Sequence, residues 1–427
     1  MTIKQKFKSS IKRGTGEAYL ILKENRELNV SKYIYDAAIK NYAYDTQCEG
    51  SRGQYICDII NLSPQKSILI KNVLKHLEKQ KKCGENLEQL FDIAKILSLQ
   101  GNMAAKRSLY KRFRSNTRRG YELGGQSAVI GLDGIEGLKA VAEVRGEMLT
   151  KDSDDWEDDW YIRHFQEEHP KVKVMAMLKE VAQNNVFIQK YLDAINENKK
   201  LRSKTEQTIY SFDTIKAKLA EGKPARFMQT EINLLTKQSL QQIADAFVNE
   251  KNKVKQENYL RIFSSVKFPG DYKVILEIAK DPVSKSNWRV YFAIRSLQFF
   301  SGKNIRAFAL KKIKHSNSPS IYTPLLINNY KKGDHKLLKA IANKSKNNDT
   351  IEDLAINYID IYKANKDKNC KNPLTIIYSK LTCGIHREDL IRLLIAQKVL
   401  PNKIKQEIFY DSREGIRELA IAHSANS

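Results

Sequence analysis

Two short segments of the chain are spelled alike. Ile305-Arg306-Ala307-Phe308-Ala309 and Ile416-Arg417-Glu418-Leu419-Ala420 share the pattern Ile-Arg-x-x-Ala. Their starts are separated by close to three units of about 37 residues, inside the period range of two-helix repeats. A unit that short buries its apolar face only by stacking on its neighbours, so such a chain grows by addition and not around one central core. A length of 427 residues then does not have to be divided into separate globular domains.

Apolar residues recur at helical spacing through most of the sequence. Ile68, Leu69, Ile70, Val73, Leu74 and Leu77 form one stripe, and Leu87, Leu90, Phe91, Ala94 and Leu97 form the next, ending before Gly101. The spacing is i, i+3, i+4, i+7, without the period-two alternation of strands. Only 9 prolines and 19 glycines interrupt the chain, which suits long helices. The expected fold is all-α, an α-solenoid of antiparallel helix pairs curved into a C-shaped superhelix. Three regions are expected: N-terminal repeats over 1–150, an acidic tryptophan-bearing segment with irregular long helices over 151–256, and basic repeats over 257–427.

Charge is distributed unevenly. The net charge is +25, and residues 251–427 hold 33 basic against 16 acidic side chains, whereas residues 151–170 hold 2 against 8. A long basic stretch is the electrostatic footprint of a polyanion partner, most often nucleic acid; the alternative is a solvated lysine-rich surface. Five cysteines form no paired framework, so reduced thiols and a cytoplasmic location are expected. Met1–Arg13 is basic without the apolar core of a secretory signal, and no apolar run approaches the ~18 residues of a membrane span.

The segment Asp411-Ser412-Arg413-Glu414-Gly415-Ile416-Arg417-Glu418-Leu419-Ala420 resembles the second helix of a HEAT-type repeat: an acid, a branched apolar residue, an arginine and a small alanine. Lys303–Ala309 is similar but lacks the acid. The resemblance extends over 259–427 and over 14–150, and fades over 151–256. It implies a HEAT-like helical solenoid. Strongly basic members of that class include bacterial alkylpurine DNA glycosylases, clamps around duplex DNA with Trp, Asp and Arg in the cleft, and glycosylases of anti-phage defence. The resemblance therefore implies a DNA-binding protein that excises a damaged or modified base. Their motifs do not align here, so no residue is carried across by position.

Three stretches hold side chains suited to such chemistry. Between two helical stripes, Asp45 and Glu49 could position water or steady a developing cation, Arg52 could hold a phosphate, and Tyr44 and Tyr55 could stack on bases. The alternative is a capped loop with an Arg52–Glu49 pair and packed tyrosines. The glycine-rich run Gly124–Leu138 carries Asp133 and Glu136, which would share one face of a helix start, either as a carboxylate pair for base excision or as first-turn acids favourable to the helix dipole. Trp156 and Trp160, at i, i+4 among acids that include Asp159, would share a helix face. They would then either stack on an extruded base or anchor the segment in the core.

Phosphate contacts are expected from two basic clusters: Lys106, Arg107, Lys111, Arg112, Arg118 and Arg119, and Lys311, Lys312, Lys314, Lys331 and Lys332. A solvated helix face is the alternative for each. Cys383-Gly-Ile-His386 has local metal-like spacing but no second ligand pair beside it, so no metal and no cofactor is expected. The expected partner is double-stranded DNA and the expected state a monomer, with no membrane association. The readings set against base excision are a non-enzymatic nucleic-acid scaffold and a scaffold for an acidic protein.

Overall fold

The computed structural model describes residues 1–152, 157–202, 211–282 and 288–425. All regular elements among these residues are helical, and no strand occurs among them, as the apolar spacing predicts. No helix among them is long and apolar enough to cross a membrane. Packing divides the chain into two units. The first comprises Met1–Glu206, Thr382–Ile385 and Lys403–Ser427, and the second Gln207–Leu381 and His386–Asn402.

The first unit opens with α1 (Ile3–Arg13), α2 (Glu17–Glu24), α3 (Ser31–Ile39), α4 (Thr46–Glu49), α5 (Gly53–Leu62), α6 (Lys66–Lys79), α7 (Glu85–Leu99) and α8 (Met103–Arg114). It continues with α9 (Gln126–Leu149), α10 (Trp160–Glu168), α11 (Val174–Ala182) and α12 (Val186–Arg202). Through the middle of the unit, helices pack on the next but one: α5 on α7, α6 on α8, α7 on α9. That is the contact pattern of stacked helix pairs. The stripes read from the sequence supply the core, with Ile59, Val73, Leu77, Leu90, Phe91, Ala94, Leu109 and Phe113 fully or almost fully buried. A second cluster joins Leu138 and Ala142 of α9 to Ile162, Phe165, Leu178, Tyr191 and Ile195.

The second unit contains α13 (Phe212–Ala220), α14 (Gln229–Ile232), α15 (Lys237–Asn249), α16 (Lys253–Phe263), α17 (Lys273–Ala279), α18 (Trp288–Leu297) and α19 (Lys303–His315). After the 3-10 segment Pro319–Leu326 come α20 (His335–Lys344), α21 (Asn348–Ala364), α22 (Lys371–Tyr378) and most of α23 (Gly384–Ala396). Here α16 packs on α18, α18 on the 3-10 segment, and that segment on α21. The 3-10 segment occupies a place in the layer that an α-helix would otherwise fill. Pro324 lies inside it and removes an amide donor that an α-helix would use.

A ladder of side-chain amides joins successive layers of this unit. Asn258 donates to the Lys223 carbonyl, Gln298 to Ser264, Asn329 to Phe300, Asn365 to Ile327 and Gln397 to Tyr362, across separations of 35, 34, 29, 38 and 35 residues. Each bond satisfies a carbonyl near the end of one helix from the layer that follows.

The last helices, α24 (Asn402–Glu407) and α25 (Glu414–Ala425), return to the first unit. Lys403 Nζ reaches the Glu17 carboxylate at 2.6 Å, Tyr410 stacks on Tyr19 with centroids 4.2 Å apart, and the Ser412 amide donates to the Gly14 carbonyl at 2.8 Å. Glu17 also accepts from Ser10 and lies beside Lys6 and Arg13. Burial alone would raise its carboxyl, but Lys403, Ser10 and Lys6 outweigh it and lower it from 4.5 to about 2. A carboxyl depressed on folding stabilises fully above its unfolded value and loses that contribution as pH falls through its folded value. Thermal unfolding should therefore lose this contribution between about pH 4.5 and 2. Glu17→Gln should cost about 2–3 kcal/mol at neutral pH and flatten that part of the pH–stability curve, which calorimetry across the window would read.

The two Ile-Arg-x-x-Ala copies serve packing. Ile305, Ala309, Ile416 and Ala420 are buried. Arg306 forks onto Asp334 at 2.7 and 2.9 Å, and Arg417 donates to the Asp411 and Ser412 carbonyls at 2.8 and 3.2 Å.

Candidate nucleic-acid interface

In the second unit two helices turn matching faces onto one groove of about 1040 Å³. Lys273, Leu276, Glu277 and Lys280 line it from the α17 side, and Asn304, Ala307, Phe308, Lys311, Lys312 and His315 from α19. Both sets follow i, i+3, i+4, i+7, so each is a single helix face. Tyr322 completes the floor, with Phe308 edge-on to it at 5.9 Å and the Lys312 ammonium over both rings at 5.7 and 5.8 Å. Four lysines thus face one glutamate, and Glu277 is itself paired with Lys280 at 2.6 Å. Lys311 and Lys312 enter no ion pair among the described residues, so their charge is available to a ligand.

Two smaller depressions adjoin α19. One, of about 470 Å³, is lined by Lys303, Arg306, Tyr330 and Lys331; the other, of about 460 Å³, by Lys314, Lys344 and Lys346. Of the C-terminal lysines singled out in the sequence, Lys311, Lys312, Lys314 and Lys331 therefore line concave surface, and Lys332 is exposed in the turn beside Lys331. Lys273, Lys280, Phe308, His315 and Tyr322 were not singled out. Lys273 and Lys280 carry no distinctive local signal, since on their helix face they are separated only by Leu276 and Glu277.

The N-terminal basic cluster is partly spent on structure. Lys106 bonds Asp133 at 2.6 Å and Lys111 pairs with Glu78, while Arg107, Arg118 and Arg119 are exposed. Arg112 is fully buried. It donates to the Gln80, Lys81 and Glu122 carbonyls and to Asn116. The phosphate role expected of Arg112 is thus replaced by a structural one, because each of its three guanidinium nitrogens donates to a carbonyl or amide oxygen within the fold.

The loop before α5 is likewise a clasp. Asp45 caps α4, accepting from the Gln47 and Cys48 amides, and the Cys48 thiol, together with those bonds, holds its carboxyl below the usual range. Glu49 accepts from the Tyr44, Asp45 and Gly384 amides at 2.8, 3.1 and 2.7 Å. Arg52, buried, donates to the Lys12 and Thr382 carbonyls and lies 3.4 Å from Glu49. Tyr55, also buried, donates to the Thr15 carbonyl at 2.8 Å. Phosphate contact by Arg52 and base stacking by Tyr55 are therefore corrected to packing roles; Tyr44 remains exposed.

Asp133 and Glu136 do not share the start of a helix. Helix α9 is already running from Gln126, and Gly134, at φ 58° and ψ −126°, breaks it between the two acids. That backbone region is essentially restricted to glycine. Asp133 accepts from Lys106 and Tyr110, both at 2.6 Å, and Glu136 pairs with Lys139 at 2.8 Å. Burial would raise the Asp133 carboxyl, but Lys106 and Tyr110 prevail and hold it low.

Trp156 lies outside the described residues. Helix α10 begins at Trp160. Trp160 is half-exposed and stacks on His164 at 4.1 Å. Asp159 pairs with Lys199 at 2.9 Å, which lowers its carboxyl. In the second unit His386 Nδ1 lies 3.0 Å from the buried Glu352 carboxylate.

No protein-family model matches the chain, and neither a curated protein nor a solved structure does.

Proposed function

We propose that this chain is a nucleic-acid-binding helical-repeat protein, with DNA as its expected ligand, that grips phosphates along the α17–α19 groove. The observation carrying the reading is the groove itself: two helix faces of matched spacing, four lysines against one paired glutamate, and an aromatic floor. Lysines so placed neutralise phosphates and release counterions, which makes affinity fall steeply with salt. Fluorescence anisotropy with a labelled oligonucleotide should show a linear log–log salt dependence. Lys311→Glu with Lys312→Glu should weaken binding and reduce that slope by about one for each phosphate contact removed. Binding that is insensitive to salt, or unaffected by these substitutions, would sink the proposal.

Base excision, as implied by the likeness to HEAT-like DNA glycosylases, is a second reading. It is supported by Asp133, a carboxylate held low by Lys106 and Tyr110 beside a glycine break where an added β-carbon would meet nothing within 4 Å. Release of a free base from alkylated or deaminated DNA, abolished by Asp133→Asn with binding retained, is the result it requires. Intact bases across such substrates leave a binding protein without catalysis.

A further inference from the structure

Helix α19 is a crest with concave surface on both sides. Its buried side is Ile305, Ala309 and Ile313, at i, i+4, i+8. At about 100° per residue, Lys303, Ala307, Lys311 and Lys314 fall on the opposite side, and all four are exposed. The α17 groove borders one flank of the crest, through Asn304, Phe308, Lys312 and His315. The two smaller depressions border the other flank, one through Lys303, Arg306 and Leu310 and the other through Lys314. Ala307 lines both the groove and the first depression, which places it at the top of the crest.

Positive charge lies on both flanks. On the α17 side the four groove lysines face Glu277. On the far side Lys303 and Lys331 line one depression, and Lys314, Lys344 and Lys346 the other. None of these five enters an ion pair among the described residues. The guanidinium on that flank, Arg306, is held by Asp334. Between the flanks the crest is low. Ala307 carries a single methyl, and Asn304, exposed one turn before it, makes no side-chain hydrogen bond among the described residues. A solvated lysine-rich surface requires no such order, in which basic depressions flank one helix whose top is a small residue.

Resting on the groove as a phosphate-binding surface, we infer that α19 enters the major groove of duplex DNA, with one strand's phosphates on the α17 side and the other strand's on the far side. The dimensions agree. A helix with its side chains is about 10–12 Å across, and the major groove is about 12 Å wide. The 13 residues of α19 span about 20 Å. Asn304 offers the amide that pairs with adenine and Lys311 the ammonium that reaches guanine, while Ala307 leaves room for a thymine methyl. A single strand has one line of phosphates and satisfies one flank only.

The test uses the full chain and three probes of one sequence: a duplex, the same duplex with 5-glucosyloxymethylcytosine in place of cytosine, and one unmodified strand. The glucosyl group fills the major groove without adding charge. It should weaken duplex binding by about tenfold or more, because only a seated helix brings both flanks onto phosphate. Ala307→Trp puts bulk at an exposed position. It should weaken binding of the unmodified duplex by a similar factor and add nothing to the loss on the glucosylated one, with thermal unfolding of the free protein unchanged. Lys303→Gln with Lys314→Gln should lower the salt slope for the duplex by about two and leave that for the single strand unchanged. Equal binding of the two duplexes, with Lys311→Glu and Lys312→Glu still weakening both, overturns this inference and leaves the groove reading intact. A slope lowered equally for the single strand does the same. Failure of all three probes to bind overturns the groove reading as well.

Discussion

Gly16→Ala is expected to destabilise the first unit by about 3 kcal/mol or more, a size typical of forced overpacking against atoms that do not give way. A β-carbon at position 16 would fall 1.8 Å from the Glu407 carbonyl oxygen and 2.9 Å from the Tyr410 carbonyl carbon. Both are backbone atoms, so no side-chain rotation relieves the clash. The substitution should separate α24 from the start of α2. With that seam go the Lys403–Glu17 bond and the Tyr410–Tyr19 stack. Limited proteolysis should then cut within 403–425 before the rest of the chain, and thermal unfolding should begin earlier. Gly222→Ala, where the added carbon meets nothing within 4 Å, serves as the control and should leave both readouts unchanged. Early cleavage elsewhere with 403–425 still protected would refute the account.

Arg112→Met should cost about 3 kcal/mol or more, since each buried acceptor left without a partner costs about 1–3 kcal/mol. The substitution preserves much of the side-chain length but leaves the Gln80, Lys81 and Glu122 carbonyls and the Asn116 amide oxygen without their donor. It also removes the guanidinium lying 5.0 Å from the Tyr121 ring centre. Arg112→Lys should recover little, since one ammonium on a flexible stem does not reproduce a planar fork. Urea denaturation measures the loss. Nucleic-acid binding should decline only in proportion to the unfolded fraction, which separates Arg112 from Lys311 and Lys312, whose substitution should weaken binding by folded protein.

Fold and site were legible to different degrees. Apolar spacing was sufficient for the helices, because burial of one stripe per helix is a local property: Leu90, Phe91 and Ala94 were read as a core face and are one. Hydrogen bonding across layers was not legible. Asn329 and Asn365 look like loop residues in the sequence, and only the packing of layers shows that each binds a carbonyl 29 or 38 residues earlier. Side-chain chemistry was the least legible part. Arg52, Arg112 and Glu49 read as candidates for a ligand because arginine and glutamate are usually exposed. What decides their role is which backbone groups come to lie beside them, and those groups are up to 335 residues away in the chain. The lysines of α19 were legible as a cluster, whereas the matching face of α17 was not, since two lysines separated by a leucine and a glutamate carry no distinctive local signal.

The return of α24 and α25 to the first helices also orders events during synthesis. The N-terminal 206 residues leave the ribosome well before the segment that covers Glu17, Tyr19 and Gly14. At roughly 5–20 residues per second, the intervening stretch of about 200 residues imposes a delay of about 10–40 s. Throughout that interval the nascent first unit presents an acid, an aromatic face and a narrow glycine seam to solvent, until residues 403–425 arrive to cover them.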